Sequence, residues 1–522
     1  MLQLTANTYN SPRKLDSKHE ECLRSAELAF AAWSSLTVAA RRRFVQNLRR
    51  VIVEKQEEII RTIALETGKP VTEVASQEVT AALEMLKFSE RAYPRWLKER
   101  RFRYWRPGFW TKRSSIHFEP MGVLVVIGPS TYPFSLPLMQ AVAALLCGNC
   151  VIIKPSERCP QMAALIRRIF KEAEWPDGVV EIIEGGGEVV EQLISSEIAR
   201  KVIFTGSYRT GKLVAEMCGR YFKPCILELG GNGAAIVCED ADLELAARGI
   251  AWSAFYANGL SCIGTKRVFV HASVAQKFIP KLLKEIERIR SGDPLDPFTD
   301  VGKIKNGDIL LNLRGLVREA LANGSRLWTA ATGDTRDPSR LDFEKPMVLL
   351  DDSFSSHAIS AAPSQSDLEV ETGGPLLTVR QVTSLDQAVR EVNASSFGLG
   401  ASVWSRGFKK ARVVARQLHV GLVWINDSSV GQPQFPWGGV KHSGWGRLFS
   451  QAAVSELTNV KVISCDHRRT SLRKLWWFPY SSEKLEIFMA VNELVYGPKR
   501  LSVLGRCTVK MWRFVRHLKR QF

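Results

Sequence analysis

Val202-Ile203-Phe204-Thr205-Gly206-Ser207-Tyr208-Arg209-Thr210-Gly211 is the stretch whose reading decides the fold. Three β-prone apolar residues run into a turn with glycines, and residues 211–218 continue as a helix. A strand that feeds a turn and then a helix is the repeating unit of an α/β sheet. The glycines let a ligand approach the backbone, and the helix N-terminus can receive a pyrophosphate. The spacing is not G-x-G-x-x-G, so on its own the stretch is as readily an ordinary strand–helix turn.

The same alternation extends on both sides. Residues 123–127, 151–153, 180–183 and 226–227 read as further buried strands, and residues 136–146, 162–173 and 189–194 as helices. Such alternation predicts an open, mostly parallel sheet, whose ligands bind beyond the carboxyl ends of its strands. A second α/β series spans residues 233–426, with a helix at 243–257 and a strand at 266–270. Residues 323–345 are polar and are expected as an irregular surface excursion. The first hundred residues read as helices, with Phe44, Leu48, Val51, Ile52, Ile59 and Ile63 at helical spacing. Gly68-Lys69-Pro70 punctuates them before a helix at 71–96. Packing is the only role these helices suggest.

At 522 residues the chain is too long for one simple core. Its hydrophobic content of 45% and charged content of 24% fit a globular protein, and no apolar run reaches the roughly 18–20 residues that span a bilayer. Ten cysteines form no dense framework. Cys147 and Cys150 make a C-x-x-C, but no second pair follows at zinc spacing, so no metal is expected. Scattered cysteines, and an N-terminus without the order of a signal peptide, point to a reducing cytoplasm.

Two acids and a thiol carry the chemistry. Lys154 and Glu157, in Lys154-Pro155-Ser156-Glu157, follow a strand end and can both hydrogen-bond ribose hydroxyls; a solvated turn is the plainer reading. Glu228 ends the apolar strand before Gly230-Gly231. Desolvation there would raise its pKa, as a general base needs, although a cap or a salt bridge would also account for it. Cys262, in Asn258-Gly259-Leu260-Ser261-Cys262, is a candidate nucleophile, set against the commoner buried structural cysteine.

The ordered set of these motifs resembles the aldehyde dehydrogenase superfamily, in its NAD(P)-dependent hydrolytic branch, over residues 20–464. Asn393-x-x-x-Phe397-Gly398-Leu399, Gly421-Leu-Val-Trp-Ile-Asn426 and Trp437-Gly438-Gly439-Val-Lys441-x-Ser443-Gly444-x-Gly446-Arg447 extend the match. The resemblance implies two open α/β domains, a Rossmann-like cofactor domain (1–98 and 120–231) and a catalytic domain (232–428). A small β oligomerisation element (99–119 and 450–464) and a C-terminal tail (465–522) complete the expected organisation. It implies that Lys154 and Glu157 hold the adenine ribose of NAD(P), that Gly206, Ser207, Gly211 and Gly230 border the cofactor, and that Glu371 holds the nicotinamide ribose. Cys262 would attack the aldehyde, and Glu228 would activate the water that releases a carboxylic acid. Glu228 argues against release by coenzyme A. Glu157 favours NAD over NADP, because a carboxylate repels a 2′-phosphate, though the family includes members that bind both.

The chain departs from the family at two informative places. Thr131, in Gly128-Pro129-Ser130-Thr131-Tyr132-Pro133, stands where the family has the asparagine that donates to the oxyanion. A hydroxyl also donates, with different reach. Gly373 stands where the family has phenylalanine, which loosens the nicotinamide side or makes room for a bulky substrate. These departures motivate an alternative: a catalytically weak relative that serves as a membrane-associated binding or scaffold protein.

The net charge of +19 is concentrated. Residues 95–113 hold eight Lys/Arg and one Glu, and residues 465–522 hold thirteen Lys/Arg against four Asp/Glu. In the tail, Leu504, Met511, Phe514, Val515, Leu518 and Phe522 favour one helix side, and Arg506, Lys510, Arg513, Lys519 and Arg520 the other. A basic amphipathic helix with Trp and Phe suits an anionic membrane surface, and packing on a neighbouring subunit is the alternative. No nucleic-acid partner is expected, because no binding fold accompanies the charge. The expected partners are an aldehyde (long-chain or otherwise hydrophobic, if the membrane reading holds), an anionic membrane and a second copy in a homodimer.

Overall fold

The computed structural model describes residues 16–104, 112–322, 324–330, 332–335, 342–351, 373–466, 476–497, 508–509 and 512. It divides into two units, Met1–Glu99 with His117–Lys461, and Arg100–Ile116 with Val462–Phe522.

Among the described residues the first unit holds two large sheets and a two-stranded one, Phe397–Gly398 with Val440–Lys441. Val123–Ile127 reads VLVVI and is buried throughout, the continuous apolar pattern of a strand covered on both faces. It lies at the middle of a six-stranded sheet ordered Gly444–Trp445, Cys225–Glu228, Ala199–Thr205, Val123–Ile127, Cys150–Lys154, Val180–Ile182. All neighbours are parallel except the short Gly444–Trp445 strand, which runs antiparallel to Cys225–Glu228. The chain builds one half of this sheet outward from Val123–Ile127, then returns to add Ala199–Thr205 on the other side. That reversal creates a crevice at the strand ends, the usual ligand position in an open α/β sheet.

The second sheet has eight strands, ordered Gly333–Thr335, Arg326–Thr329, Met347–Asp351, Leu376–Val382, Thr265–His271, Gly233–Val237, Gly400–Trp404, Leu422–Ile425. It is parallel from Met347–Asp351 onward. Within 323–345, Arg326–Thr329 departs from the expected surface excursion. Arg326–Thr329 pairs antiparallel with Met347–Asp351, and Leu327 is fully buried. Only two of its four residues are apolar, too few to give a period-2 signal. The helix Gly307–Ala322 covers the spot through Leu313, Val317 and Ala320.

Between Ser17 and Trp96 the chain is helical as expected. Gly68 closes the helix Gln56–Thr67 in the left-handed region, with φ of 76°. The helix expected at 71–96 is interrupted by a π-helical segment, Ala75–Thr80, a feature that often marks functional sites. Residues 452–456 form a short helix, and Ala453, Val454 and Leu457 are buried in the core of the six-stranded sheet. The strand of the 450–464 segment therefore begins only at Thr458.

In the second unit, Arg100–Arg103 pairs antiparallel with the strand Lys112–Pro120, Arg100 facing Ile116. The helix Ser482–Tyr496 is capped by Ser481 and buries only Ile487 and Ala490. Trp477, Phe478, Tyr480, Leu485 and Met489 are exposed. The amphipathic residues singled out in the tail, Leu504 to Phe522, lie outside the described residues. No helix among the described residues is long and apolar enough to cross a membrane.

Candidate active site

The helix Leu243–Phe255 ends just before the Cys262 loop. Ala257 and Asn258 then adopt left-handed conformations, with φ of 53° and 55°. For residues with a side chain this costs on the order of 1–3 kcal/mol each, so surrounding contacts must hold it. Glu73 Oε2 accepts from the Ala257 N–H at 2.8 Å. Asn258 is fully buried, donates to the Gly68 carbonyl at 3.0 Å and accepts from Gly302 N–H at 2.8 Å. Lys266 Nζ donates to the Gly259 carbonyl. Gly259 must be glycine here: its φ is 68°, and a Cβ would lie 2.2 Å from the Gly374 carbonyl oxygen. Cys262, half-buried, follows from this fixed turn.

Glu228 ends the strand Cys225–Glu228 and is buried. Its strand end meets the Cys262 loop directly, because a Cβ on Gly231 would fall 2.3 Å from the Cys262 carbonyl oxygen. Gly230 is buried between them. Burial pushes the Glu228 carboxyl well above the usual carboxylate range, and the Arg447 guanidinium draws it part of the way back. Glu228 Oε1 is closed to solvent and has no hydrogen-bond partner. A buried oxygen without a partner is costly in a purely structural carboxylate and suits one that must accept a proton. Arg447 is itself held on the carbonyls of Gly439 and Gly446, at 2.9 and 2.7 Å.

Thr131 is half-buried in the loop after Val123–Ile127. Gly128 N–H anchors that loop on the Lys154 carbonyl at 3.0 Å. Next to Thr131, Tyr132 lies beside Ser261, one residue before Cys262, and Ser261 is hydrogen-bonded to the Tyr256 hydroxyl. The loop and the thiol are thereby brought together. The segment behind them is one that sequence reading credited with packing alone. Lys69 Nζ lies over the Tyr132 ring, 4.2 Å from its centroid, and pairs with buried Glu78 at 2.6 Å. Glu78 also accepts from Ser135 N–H at 2.8 Å, fixing the far end of the same loop. A signal was present in the sequence: Glu78 is four residues from both Val74 and Ala82, on the buried face of its helix, where an acid needs a reason.

The strand ends form an edge with the features a dinucleotide site needs. Lys154 Nζ holds Glu157 at 2.8 Å. Burial pushes the Glu157 carboxyl up, but the bond from Lys154, its own backbone N–H and the charges of Lys154 and Arg158 together hold the group below its ordinary value. Gly206 N–H donates to the Glu228 carbonyl at 3.1 Å, so the Thr205–Ser207 turn and the buried acid share one edge. Ser207 caps the helix Tyr208–Arg220 by accepting from Thr210 N–H. Gly211 lets that helix close on the strand end, since a Cβ there would lie 2.3 Å from a Leu229 methyl. Around Gly187, at the start of the helix Gly187–Ser195, a Cβ would meet nothing within 4 Å. An open edge with a capped helix N-terminus and a Lys–Glu pair fits a dinucleotide. Glu371 lies outside the described residues. Gly374 of the same motif donates to the Gly259 carbonyl at 3.1 Å. A Cβ on Gly373 would stand 3.4 Å from Ile309, so Ile309 faces the space that glycine leaves. Elsewhere, Cys147 and Cys150 are core residues whose thiols burial pushes up to about 12.

Such an edge, with a thiol loop packed against a buried acid, defines an NAD(P)-dependent oxidoreductase of open α/β fold. The model of the aldehyde dehydrogenase family matches residues 6–463, and the chain belongs to that family. It is 32% identical to a 4,4'-diapolycopene aldehyde oxidase of Methylomonas, over 93% of this chain and 89% of the relative. It is also 32% identical to an NADP-dependent succinate-semialdehyde dehydrogenase of Deinococcus radiodurans, over 84% and 88%. Among solved structures, an NAD-dependent aldehyde dehydrogenase of Sinorhizobium meliloti superposes with a TM-score of 0.80 at 27% identity, covering 88% of each chain. PnpE in complex with nicotinamide adenine dinucleotide matches at 0.77 and 27%, covering 87% of this chain and 91% of PnpE.

Proposed function

We propose that the protein oxidises a hydrophobic aldehyde to a carboxylic acid through a thioester on Cys262. Cys262 as thiolate forms a C–S bond to the aldehyde carbon, and the oxygen gains the negative charge. The Thr131 hydroxyl and the Cys262 backbone N–H donate to that oxygen. When bound, NAD(P) supplies the acceptor for the hydride that leaves the carbon, and a thioester remains on Cys262. Glu228 takes a proton from water as the water attacks the thioester, the C–S bond breaks, and thiolate and acid are released. The orphaned Oε1 of Glu228 is the observation that carries this reading. Lys154, Glu157, Gly206, Ser207, Gly211, Gly230 and Glu371 would hold the cofactor, and the Glu157 carboxylate favours NAD.

The hydrophobic character of the substrate rests on three features. Gly373 replaces a bulky side chain; exposed aromatics and a basic tail suit an anionic membrane surface; and the relative named as acting on 4,4'-diapolycopene aldehyde matches over 93% of the chain. A homodimer is the assembly we assign. With NAD+ and decanal, the purified protein should form NADH and decanoate, and Cys262→Ala should form neither. Equal turnover by Cys262→Ala would overturn the mechanism.

A further inference from the structure

Glu73 is a half-buried residue with an inward-facing carboxylate. Oε2 accepts from the Ala257 N–H at 2.8 Å, and Oε1 is closed to solvent without a partner. Glu73 lies in Val71–Val74, the short helix that leads into the π-helical segment, and Ala257 is the first of three consecutive left-handed positions before Cys262. Ala257 is not glycine and its side chain cannot hydrogen-bond, so it is held through its backbone: Glu73 accepts from its N–H, and its carbonyl accepts from Leu260 N–H at 2.8 Å. The same segment carries Lys69 and Glu78, which fix the Thr131 loop. One helical stretch thus grips the nucleophile turn at one point and the oxyanion loop at another.

We propose that Glu73 is a positioning residue for the nucleophile, its carboxylate holding the Ala257 peptide in the turn that aims Cys262. The proposal rests on the Cys262 mechanism above. The contact is made to a backbone N–H, so it survives any side chain at 257 and depends only on the acceptor. An ionised acceptor makes a shorter and stronger bond than a neutral one, so the grip depends on ionisation. Burial pushes the Glu73 carboxyl up to about 7, with Lys69 and the Ala257 bond lowering it and Glu78 raising it. Tyr132 and Tyr256, from the two loops it joins, also feel its charge. Below neutral pH the carboxyl is protonated and the bond weakens; above it the bond is charge-assisted. Acylation should therefore rise through neutral pH with Glu73 as well as with the thiol.

The test is the single-turnover burst of NADH, followed from pH 5.5 to 9 in wild type, Glu73→Gln and Glu73→Leu, with decanal and NAD+. Glutamine keeps an acceptor for Ala257 but cannot ionise, so Glu73→Gln should retain the burst at pH 8 within about threefold while losing the inflection near neutral pH. Glu73→Leu removes the acceptor and should slow the burst at least about tenfold at every pH. If Glu73→Leu fails to fold, the Glu73→Gln profile decides alone. A Glu73→Gln profile superimposable on wild type would overturn the proposal. Failure of the underlying mechanism is separate: it would appear as a burst that persists in Cys262→Ala.

Discussion

Glu228, the base we propose, sits where its ionised form opposes stability. Its carboxyl is pushed up by burial, so the folded protein favours the neutral form. The sign follows from linkage: that stabilisation is complete below the unfolded value of about 4.5 and is lost as pH rises through the folded pKa. Glu228→Gln removes the ionisation that opposes folding at high pH. Its melting temperature should exceed that of wild type at pH 8 by a few degrees and match it near pH 4.5. Steady-state turnover should meanwhile fall by about 10²–10⁴, the usual value of a general base. Scanning calorimetry at the two pH values checks the first point; a variant less stable than wild type at pH 8 would assign Glu228 a structural role. The acid itself was legible in sequence, since it ends an apolar strand before two glycines. Its relation to Arg447 was not, because 219 positions of chain separate them and only the fold brings them together.

The element that decides the site is the turn from Tyr256 to Gly259. Gly259→Ala forces a methyl to within 2.2 Å of the Gly374 carbonyl at a φ of 68°, and something must move. Because the strand that follows Pro375 is anchored in the eight-stranded sheet, the turn is the part that yields. We expect a loss of at least about 10² in kcat/KM, the scale of a 1 Å misplacement, with a stability loss of about 1–3 kcal/mol by urea unfolding. Full activity in Gly259→Ala would show that the turn does not aim the thiol. Legibility differed between elements for a physical reason. Val123–Ile127 and its parallel neighbours announced themselves because strands buried on both faces are uniformly apolar. Arg326–Thr329 was hidden because an edge region of mixed polarity looks like a loop. The helix from Val71 was found, but Glu73, Lys69 and Glu78 were not assigned roles, since their partners lie in loops some sixty and more than a hundred and eighty positions away.

At the scale of the molecule, the charge is the unexplained quantity left by a family fold. The basic residues concentrate at 95–113 and 465–522, and the second unit exposes Trp477, Phe478, Tyr480, Leu485 and Met489. Aromatics beside positive charge favour the interface of an anionic bilayer. Flotation with vesicles of anionic phospholipid should recover the full chain at low salt and lose most of it at about 0.5 M salt, where charges are screened. Replacing Lys510, Arg513, Lys519 and Arg520 by glutamine should weaken recovery severalfold while leaving NADH formation from a short, soluble aldehyde unchanged. Equal recovery of both forms would remove the tail from the account. The match to the family model ends at residue 463, so this tail is where the chain adds to what the family fold supplies.

In the mechanism we propose, Cys262 carries an acyl group which Glu228-activated water removes. Intact-protein mass spectrometry of Glu228→Gln, quenched after mixing with NAD+ and decanal, tests it directly. One decanoyl adduct per chain, mapped to Cys262, is expected, together with a burst of one equivalent of NADH and later turnover about 10²–10⁴ below wild type. Continued turnover without an adduct, or an adduct on another residue, would contradict it.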